Sequence, residues 1–418
     1  MQANRRHPES RQPLPPPQDA GAPFTDFAAV TPHTPLETLN LNWRERDLPE
    51  RERTKHVHRL HPYLGKFIPQ LAEIFLRKFA PAAVCDPFVG SGTTLVEANA
   101  LGIASVGVDV SPFNCLIAKA KTDAYDLARL EGEIRDILAR VQAACDGGMF
   151  PGAPAPIDTA TDYLREWYDP RARAPLLAFL GLIPDYDCQD LLKVVLCRAA
   201  RSARLTRHFE LDFPRAPQRE PYYCHKHKRT CRPTTDSMKF LRRYAVDALR
   251  RVAQFAALRT DRPVTILCAD SAQAGLPPFD MVLTSPPYVG LIDYHEQHRY
   301  AYELLSLLPE PFAAVGWRDP NLRANEEREI GAARAGRNGD ARRAYVEGMA
   351  GVLRNAKRCL APGGVACIVV GDRYSLYGVL PERLGFSEEM VVHRCVNRRT
   401  GRRSGEFFES VLVWRSER

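Results

Sequence analysis

The spacing of large apolar residues predicts a helix early in the chain. Beyond Leu60 they follow one another at spacings of four, three, one and four, which places them on one helical face: Phe67, Leu71, Ile74, Phe75 and Phe79. Residues 1–35, by contrast, are rich in Pro, Ala and polar residues. We therefore predict a disordered or extended N-terminal arm over residues 1–54.

A strand–helix–strand pattern comes next. The apolar run Ala82–Cys85 predicts a strand that ends at Asp86, and Thr94–Leu101 predicts a helix. Ser105–Val108 predicts a second strand, which ends at Asp109. Strands that alternate with helices indicate a parallel sheet with helices on both faces.

Residues 123–262 interrupt this alternation, because their pattern is mostly helical. Sheet-like runs resume at Val264–Cys268, Met281–Thr284 and Val365–Val370, and a terminal hairpin is predicted from Glu389–Val396 and Ser410–Trp414. We therefore predict one α/β domain made of residues 55–122 and 263–418. The mainly helical residues 123–262 are an insertion in it and a candidate recognition region.

Composition indicates a water-soluble globular protein. Of 418 residues, 45% are hydrophobic and 26% are charged. No apolar run approaches the roughly 20 residues of a membrane span, and the N-terminus lacks the apolar segment of a secretory signal. The eleven scattered cysteines suit reduced thiols rather than a disulfide framework. We expect a cytoplasmic protein without membrane association.

The charge balance is mildly basic. Lys and Arg number 58 and Asp and Glu number 50, so the net charge of +8 is compatible with a polyanionic partner. Four arginines recur at every third position: Arg198, Arg201, Arg204 and Arg207. Two interpretations stay open, a stripe that contacts nucleic-acid phosphates and a solvated charged face.

The strongest local motif is a glycine loop, Asp86-Pro-Phe-Val-Gly-Ser-Gly-Thr-Thr94. Its two glycines let the backbone approach a ligand closely, and the helix that follows offers unpaired N–H groups. Asp109, at the end of the next strand, suits the hydroxyls of a ribose. Leu95 stands where a dinucleotide fingerprint needs its third glycine, and no Lys follows as in a Walker A loop. The motif indicates a nucleoside-containing cofactor.

A second motif, Thr284-Ser-Pro-Pro-Tyr288, directly follows a predicted strand. Two prolines fix an extended turn and remove two N–H donors, so the carbonyl of Pro286 points in one direction. Ser285 and this carbonyl can accept the two hydrogens of a base amino group, while Tyr288 offers a ring for stacking. Such chemistry requires the base to leave the helical stack.

Together the two motifs resemble those of the DNA amino-methyltransferases, which make N4-methylcytosine or N6-methyladenine. The resemblance implies the class I S-adenosylmethionine-dependent methyltransferase fold, Rossmann-like, with a seven-stranded sheet and a reversed terminal hairpin. It also implies S-adenosyl-L-methionine as cofactor, DNA with a flipped target base as substrate, and a cognate restriction endonuclease as partner. Under this reading the four arginines are candidate DNA contacts.

The resemblance carries residue roles onto this chain. The glycine loop surrounds the methionine part of the cofactor, Asp109 binds the ribose, and Asp270 reads the adenine amino group. The implied cofactor-binding residues are Tyr63, Lys66, Asp86, Pro87, Phe88, Gly90, Gly92, Thr93, Asp109, Val110, Phe113, Asp270 and Ser271. The implied catalytic residues are Ser285, Pro286, Pro287 and Tyr288.

Several alternatives remain open. Ser before Pro-Pro-Tyr resembles the cytosine-N4 enzymes more than the adenine-N6 enzymes, which stay the second hypothesis. Methylation of RNA guanine-N2, a dinucleotide oxidoreductase and a non-catalytic DNA-binding partner fit the motifs less well. Cytosine-C5 methylation needs a Cys nucleophile, in that family on a Pro-Cys step, and no Pro-Cys dipeptide occurs.

One further stretch, with Cys224, His225, His227 and Cys231, contains metal-ligating residue types. It lacks a paired C-x-x-C knuckle. On sequence alone we interpret it as a basic surface loop and expect no metal.

Overall fold

A mixed seven-stranded sheet forms the centre of the protein. The structure is a computed structural model that describes residues 23–43, 46–147, 161–308, 320–397 and 406–417. The strands are β1 (Ala83–Asp86), β2 (Ala104–Asp109), β3 (Tyr222–Cys224), β4 (Arg229–Cys231), β5 (Val264–Cys268), β6 (Phe279–Thr284), β7 (Leu360–Val370), β8 (Phe386–Asn397) and β9 (Glu406–Ser416).

The strand order confirms the predicted fold class. The sheet runs β5-β2-β1-β6-β7-β9-β8, and β3 and β4 form a separate two-stranded hairpin. β1 pairs in parallel with β2 and β6, whereas β9 lies antiparallel to β7 and β8. After β1 the chain forms β2 and β5 on one side of β1. It then forms β6 on the other side of β1, followed by β7, β9 and β8. The carboxyl ends of β1 and β6 therefore flank a topological switch point, where open α/β sheets bind ligands.

Helices cover both faces of the sheet. They are α1 (Glu50–Arg53), α2 (Pro69–Phe79), α3 (Thr93–Ala100), α4 (Pro112–Thr122), α5 (Leu127–Cys145), α6 (Asp162–Trp167), α7 (Pro170–Leu182), α8 (Gln189–Ala203), α9 (Met238–Ala256), α10 (Tyr294–Gln297), α11 (Arg299–Leu305), α12 (Pro320–Glu327), α13 (Gly339–Cys359) and α14 (Leu380–Leu384). α2 confirms the predicted early helix. Its first residue is Pro69, whose fixed φ suits an N-terminal position, and Ala80 ends it in a left-handed conformation.

Alternate residues of each central strand face two different cores. In β7, Val365 and Cys367 pack with α2, whereas Ala366 and Ile368 pack with α13. Because both faces are covered, the strand is a continuous apolar run rather than an alternating one.

The N-terminal arm is more ordered than predicted. Leu36, Leu39 and Leu41 are buried in the same core as α2 and residues from the middle of β8 and β9. Burial of these side chains stabilises the arm against the sheet, since each buried Leu contributes roughly 1.5–3 kcal/mol. Of the arm predicted to be disordered or extended, residues 23–43 are ordered against the sheet, and residues 1–22 lie outside the described residues.

The insertion shares a core with the α/β domain. Phe113 and Ile117 of α4 pack in one apolar cluster with Leu180 of α7 and Leu192 of α8. Most of the described insertion is helical, and it also contains the β3–β4 hairpin, which was not predicted. Among the described residues, every helix is too short or too polar to cross a lipid bilayer.

Candidate active site

A cleft opens at the switch point, between the glycine loop and the Pro-Pro turn (residues 284–288). It has an empty volume of about 770 Å³, which includes space open to solvent. Predicted site residues that line it are Tyr63, Lys66, Asp86, Phe88, Gly90, Thr93, Asp109, Val110, Asp270, Ser271, Ser285 and Pro287. The structure thus brings residues of both motifs to one cavity.

The two loop glycines serve different purposes. Gly90 has φ +47°, and a Cβ there would come 2.9 Å from the hydroxyl of Tyr63 at the cleft. Gly92 has φ +79°, and its Cβ would come 3.0 Å from the Cβ of Ala118 in α4. Gly92 is not among the residues that line the cleft. Its small size is needed for the packing of two helices, rather than for a ligand as the motif suggested.

Asp86 joins the two motifs. Its carboxylate accepts hydrogen bonds from Thr94 Oγ1 at 2.7 Å, Thr284 Oγ1 at 2.6 Å and the amide of Phe88 at 3.1 Å. The side chain is buried, and this desolvation raises the pKa of Asp86 to about 6 despite the three donors. Because Thr284 begins the Pro-Pro turn, the bond to Asp86 fixes that turn relative to the glycine loop.

Asp109 is held at the tip of β2. It accepts hydrogen bonds from the amides of Gly90 at 2.9 Å and Ser111 at 2.8 Å, and from Asn114 Nδ2 at 3.1 Å. Burial raises the pKa of Asp109 above its ordinary value. The sequence did not single out Asn114, which also lines the cleft and lies within 3.2 Å of the Tyr63 hydroxyl.

Some predicted cofactor residues support the cleft rather than line it. Phe113 is fully buried and meets His61 and His298 edge-on, so it packs behind the cleft. The Pro87 carbonyl accepts a hydrogen bond from Ser271 Oγ at 2.5 Å. Lys66 lines the cleft, but its ammonium donates to the His58 carbonyl at 2.7 Å, and burial lowers the pKa of Lys66 to about 8.

The Pro-Pro turn is held from behind by tyrosines. Tyr345 Oη donates to the Pro287 carbonyl at 2.9 Å and lies 2.6 Å from Tyr377 Oη. Tyr288 Oη donates to Glu409 at 3.2 Å, and burial raises the pKa of Tyr288. Ser285 and Pro287 are among the residues that line the cleft, and Pro286 and Tyr288 are not.

Residues that follow the Pro-Pro turn close the other side of the cleft. Tyr294 lines the cleft and stacks on Tyr63 with ring centroids 5.6 Å apart. Glu329 lines it too, and accepts from His295 Nδ1 at 2.7 Å. These residues lie outside both motifs. The histidines that follow the Pro-Pro turn are expected near the substrate pocket from the sequence, whereas Glu329 is not.

The four arginines do not form the expected surface stripe. Helix α8 ends at Ala203, so a helical spacing does not extend to Arg204 and Arg207. All four make contacts within the protein: Arg198 with Asp247, Arg201 with Asp212, Arg204 with the carbonyl of Leu211, and Arg207 with Gln218. Arg198 and Arg204 are buried, and Arg207 is exposed. A continuous stripe on one helix face is therefore absent from these four positions, and contact of Arg201 or Arg207 with DNA phosphates stays a prediction.

The residues of the cleft fit a cationic nucleoside cofactor. A sulfonium and an ammonium group suit the Asp86 carboxylate, and ribose hydroxyls suit Asp109. Gly90 leaves room beside Tyr63 for the ligand. The strand order with its reversed hairpin, together with this site, defines a class I methyltransferase. Its methyl donor is S-adenosyl-L-methionine.

Comparison with known proteins gives the family. The chain is 34% identical to the Type II methyltransferase M.MjaII of Methanocaldococcus jannaschii over 88% of this chain and 82% of that protein. It therefore belongs to the Type II methyltransferases, which are S-adenosylmethionine-dependent enzymes that methylate DNA at specific sites.

More distant proteins also match. The Type II methyltransferase M.MvaI of Kocuria varians is 28% identical over 56% of this chain and 53% of that protein. The rRNA methyltransferase aviRa of Streptomyces viridochromogenes has a TM-score of 0.35 and 16% identity, over 89% of this chain and 96% of that one. No protein-family model matches the chain.

Proposed function

We propose that this enzyme transfers a methyl group to the exocyclic N4 of cytosine in DNA. The observation that carries the proposal is the bond between Asp86 and Thr284, at 2.6 Å, which holds the Pro-Pro turn against the cofactor loop. Ser285 and Pro287 line the same cleft as Asp86 and Asp109. An amino group seated on this turn would lie beside the bound cofactor.

The turn supplies acceptors rather than a nucleophile. Ser285 Oγ and the Pro286 carbonyl accept the two amino hydrogens, which makes the nitrogen lone pair less conjugated with the ring. Tyr345 donates a hydrogen bond to the Pro287 carbonyl and so helps to fix the direction of the adjacent Pro286 carbonyl. S-adenosylmethionine, when bound, supplies an electrophilic methyl group. The nitrogen that receives it loses one proton, which passes to solvent.

The identity of the base is tested by its product. Full-length protein is incubated with labelled S-adenosylmethionine and duplexes of mixed sequence, and the methylated nucleoside is identified by mass spectrometry. We expect N4-methylcytosine, because Ser rather than Asp precedes Pro-Pro-Tyr. N6-methyladenine would favour the second hypothesis, and 5-methylcytosine would overturn amino methylation.

For DNA recognition we propose the insertion, with the β3–β4 hairpin as a contact. Lys226, Lys228 and Arg229 are exposed on this hairpin, and cationic side chains of this kind bind phosphates by releasing counterions. A cognate restriction endonuclease remains the expected partner, since Type II methyltransferases belong to restriction–modification systems.

A further inference from the structure

The β3–β4 hairpin has almost no apolar core of its own. Its cluster of buried apolar residues consists of Tyr222, Cys224 and Cys231. A two-stranded hairpin of this size is marginal in water without further support. Two of these three residues are cysteines, so apolar packing contributes little to the stability of the hairpin.

Four ligand atoms converge beneath the hairpin. They belong to His208, Cys224, His227 and Cys231, and all lie within 4.8 Å of one another. His208 comes from the loop before the hairpin. Its backbone amide donates a hydrogen bond to Tyr222 Oη at 3.0 Å. The stretch considered from the sequence included His225. In the structure His208, and not His225, belongs to the cluster.

The geometry points to a tetrahedral zinc site formed by these four residues, and we propose it as a structural metal centre. Cys224 Sγ lies 3.6 Å from His208 Nδ1 and 3.7 Å from His227 Nδ1, and His227 Nδ1 lies 3.4 Å from Cys231 Sγ. With Zn–S of about 2.3 Å and Zn–N of about 2.0 Å, a tetrahedron separates sulfur from nitrogen by about 3.5 Å. The observed distances match that separation.

The ligand set selects the metal. Two thiolates and two imidazoles in a tetrahedral arrangement suit Zn²⁺ and disfavour Mg²⁺ or Ca²⁺, which take oxygen ligands. All four positions are filled by protein groups, which is typical of a structural rather than a catalytic zinc. This proposal reverses our expectation from the sequence that the stretch binds no metal.

A second cluster of ligand types serves as a contrast. His56, His58 and Glu97 also converge, but Lys55 Nζ lies 2.7 Å from the Glu97 carboxylate. The lysine ammonium already supplies the cation there. No cationic side chain is found in hydrogen-bonding or ion-pair contact with the four described ligands of the hairpin cluster.

The test is metal content and cobalt spectroscopy of the full-length protein. Purified under reducing conditions from zinc-supplemented medium, the wild type should carry one zinc per chain by elemental mass spectrometry. Replacement by Co²⁺ should produce thiolate-to-cobalt charge-transfer bands and the intense visible bands of tetrahedral cobalt. The double variant Cys224→Ser, Cys231→Ser should lose both the zinc and the bands.

Two controls make the result specific. His225→Ala alters the neighbouring imidazole outside the cluster and should keep the full metal content, whereas His208→Ala should lose most of it. S-adenosylmethionine binding, measured on every variant, reports whether the α/β domain is folded. The proposal is overturned if wild type neither retains zinc nor shows cobalt bands, if the bands survive in the double Ser variant, or if Cys224 and Cys231 prove to be joined by a disulfide.

Discussion

At the scale of single residues, we expect Asp86 to make cofactor binding depend on pH. Its pKa of about 6 means that the carboxylate is charged above pH 6 and neutral below it. A cationic cofactor should therefore bind more weakly as pH falls below 6, by up to about tenfold per pH unit. Calorimetric titration with S-adenosylmethionine between pH 5 and 8 measures this.

The matched control is Asp86→Asn, which keeps the shape but not the charge. It should bind more weakly at pH 8 and lose most of the pH dependence around pH 6. An Asn variant with the wild-type pH profile would show that another group is responsible, and Asp109 would be the next to test because its pKa is also raised.

Tyr345 should act as a positioning residue for the turn. Tyr345→Phe removes the hydrogen bond to the Pro287 carbonyl, which is worth about 0.5–1.5 kcal/mol. We expect the single-turnover methylation rate to fall by roughly two- to tenfold while cofactor affinity stays unchanged. Tyr125→Phe, which removes a hydrogen bond to the Ala120 carbonyl away from the cleft, is the control. Equal losses of rate and cofactor affinity would indicate general disruption instead.

At the scale of elements, Gly92 is a packing constraint between α3 and α4. Gly92→Val would bring a side chain against the Ala118 backbone, 3.1 Å from its Cα, at φ +79°. Overpacking costs roughly 1–3 kcal/mol, and a left-handed non-glycine residue costs about 1–2 kcal/mol more. Denaturant unfolding should show this loss of stability, whereas a variant that folds normally but binds no cofactor would place Gly92 at the ligand.

The β3–β4 hairpin should contribute to DNA affinity through charge. Each of Lys226→Ala, Lys228→Ala and Arg229→Ala should reduce the slope of log affinity against log salt by roughly one. Arg135→Ala, which removes an exposed arginine paired with Glu131 on α5, should leave the slope unchanged. Unaltered slopes for all three hairpin variants would exclude this surface as a phosphate contact.

The elements show what sequence patterns can and cannot predict. The strand at 264–268 matches its predicted bounds, since a short apolar run between turns leaves little choice. Arg198 and Arg204 were predicted to lie on the surface, but they contact an acidic side chain and a backbone carbonyl inside the protein. The spacing of charges along a helix does not reveal such partners. Tyr345 and His208 were missed for the same reason, since their partners lie 58 and 16 residues away.

At the scale of the whole molecule, the insertion and the α/β domain should unfold together. Phe113 of α4 and Leu192 of α8 belong to one apolar cluster, so neither part can lose its packing without exposing the other. Trp167 lies in the insertion and Trp414 on β9, and both are buried, which makes them separate fluorescence probes. Variants that retain Trp167 or Trp414 as the single tryptophan should give coincident denaturant midpoints, as expected for one cooperative transition. An earlier midpoint for Trp167 would mean that the insertion is an independent unit, and the shared core would then contribute little to its stability.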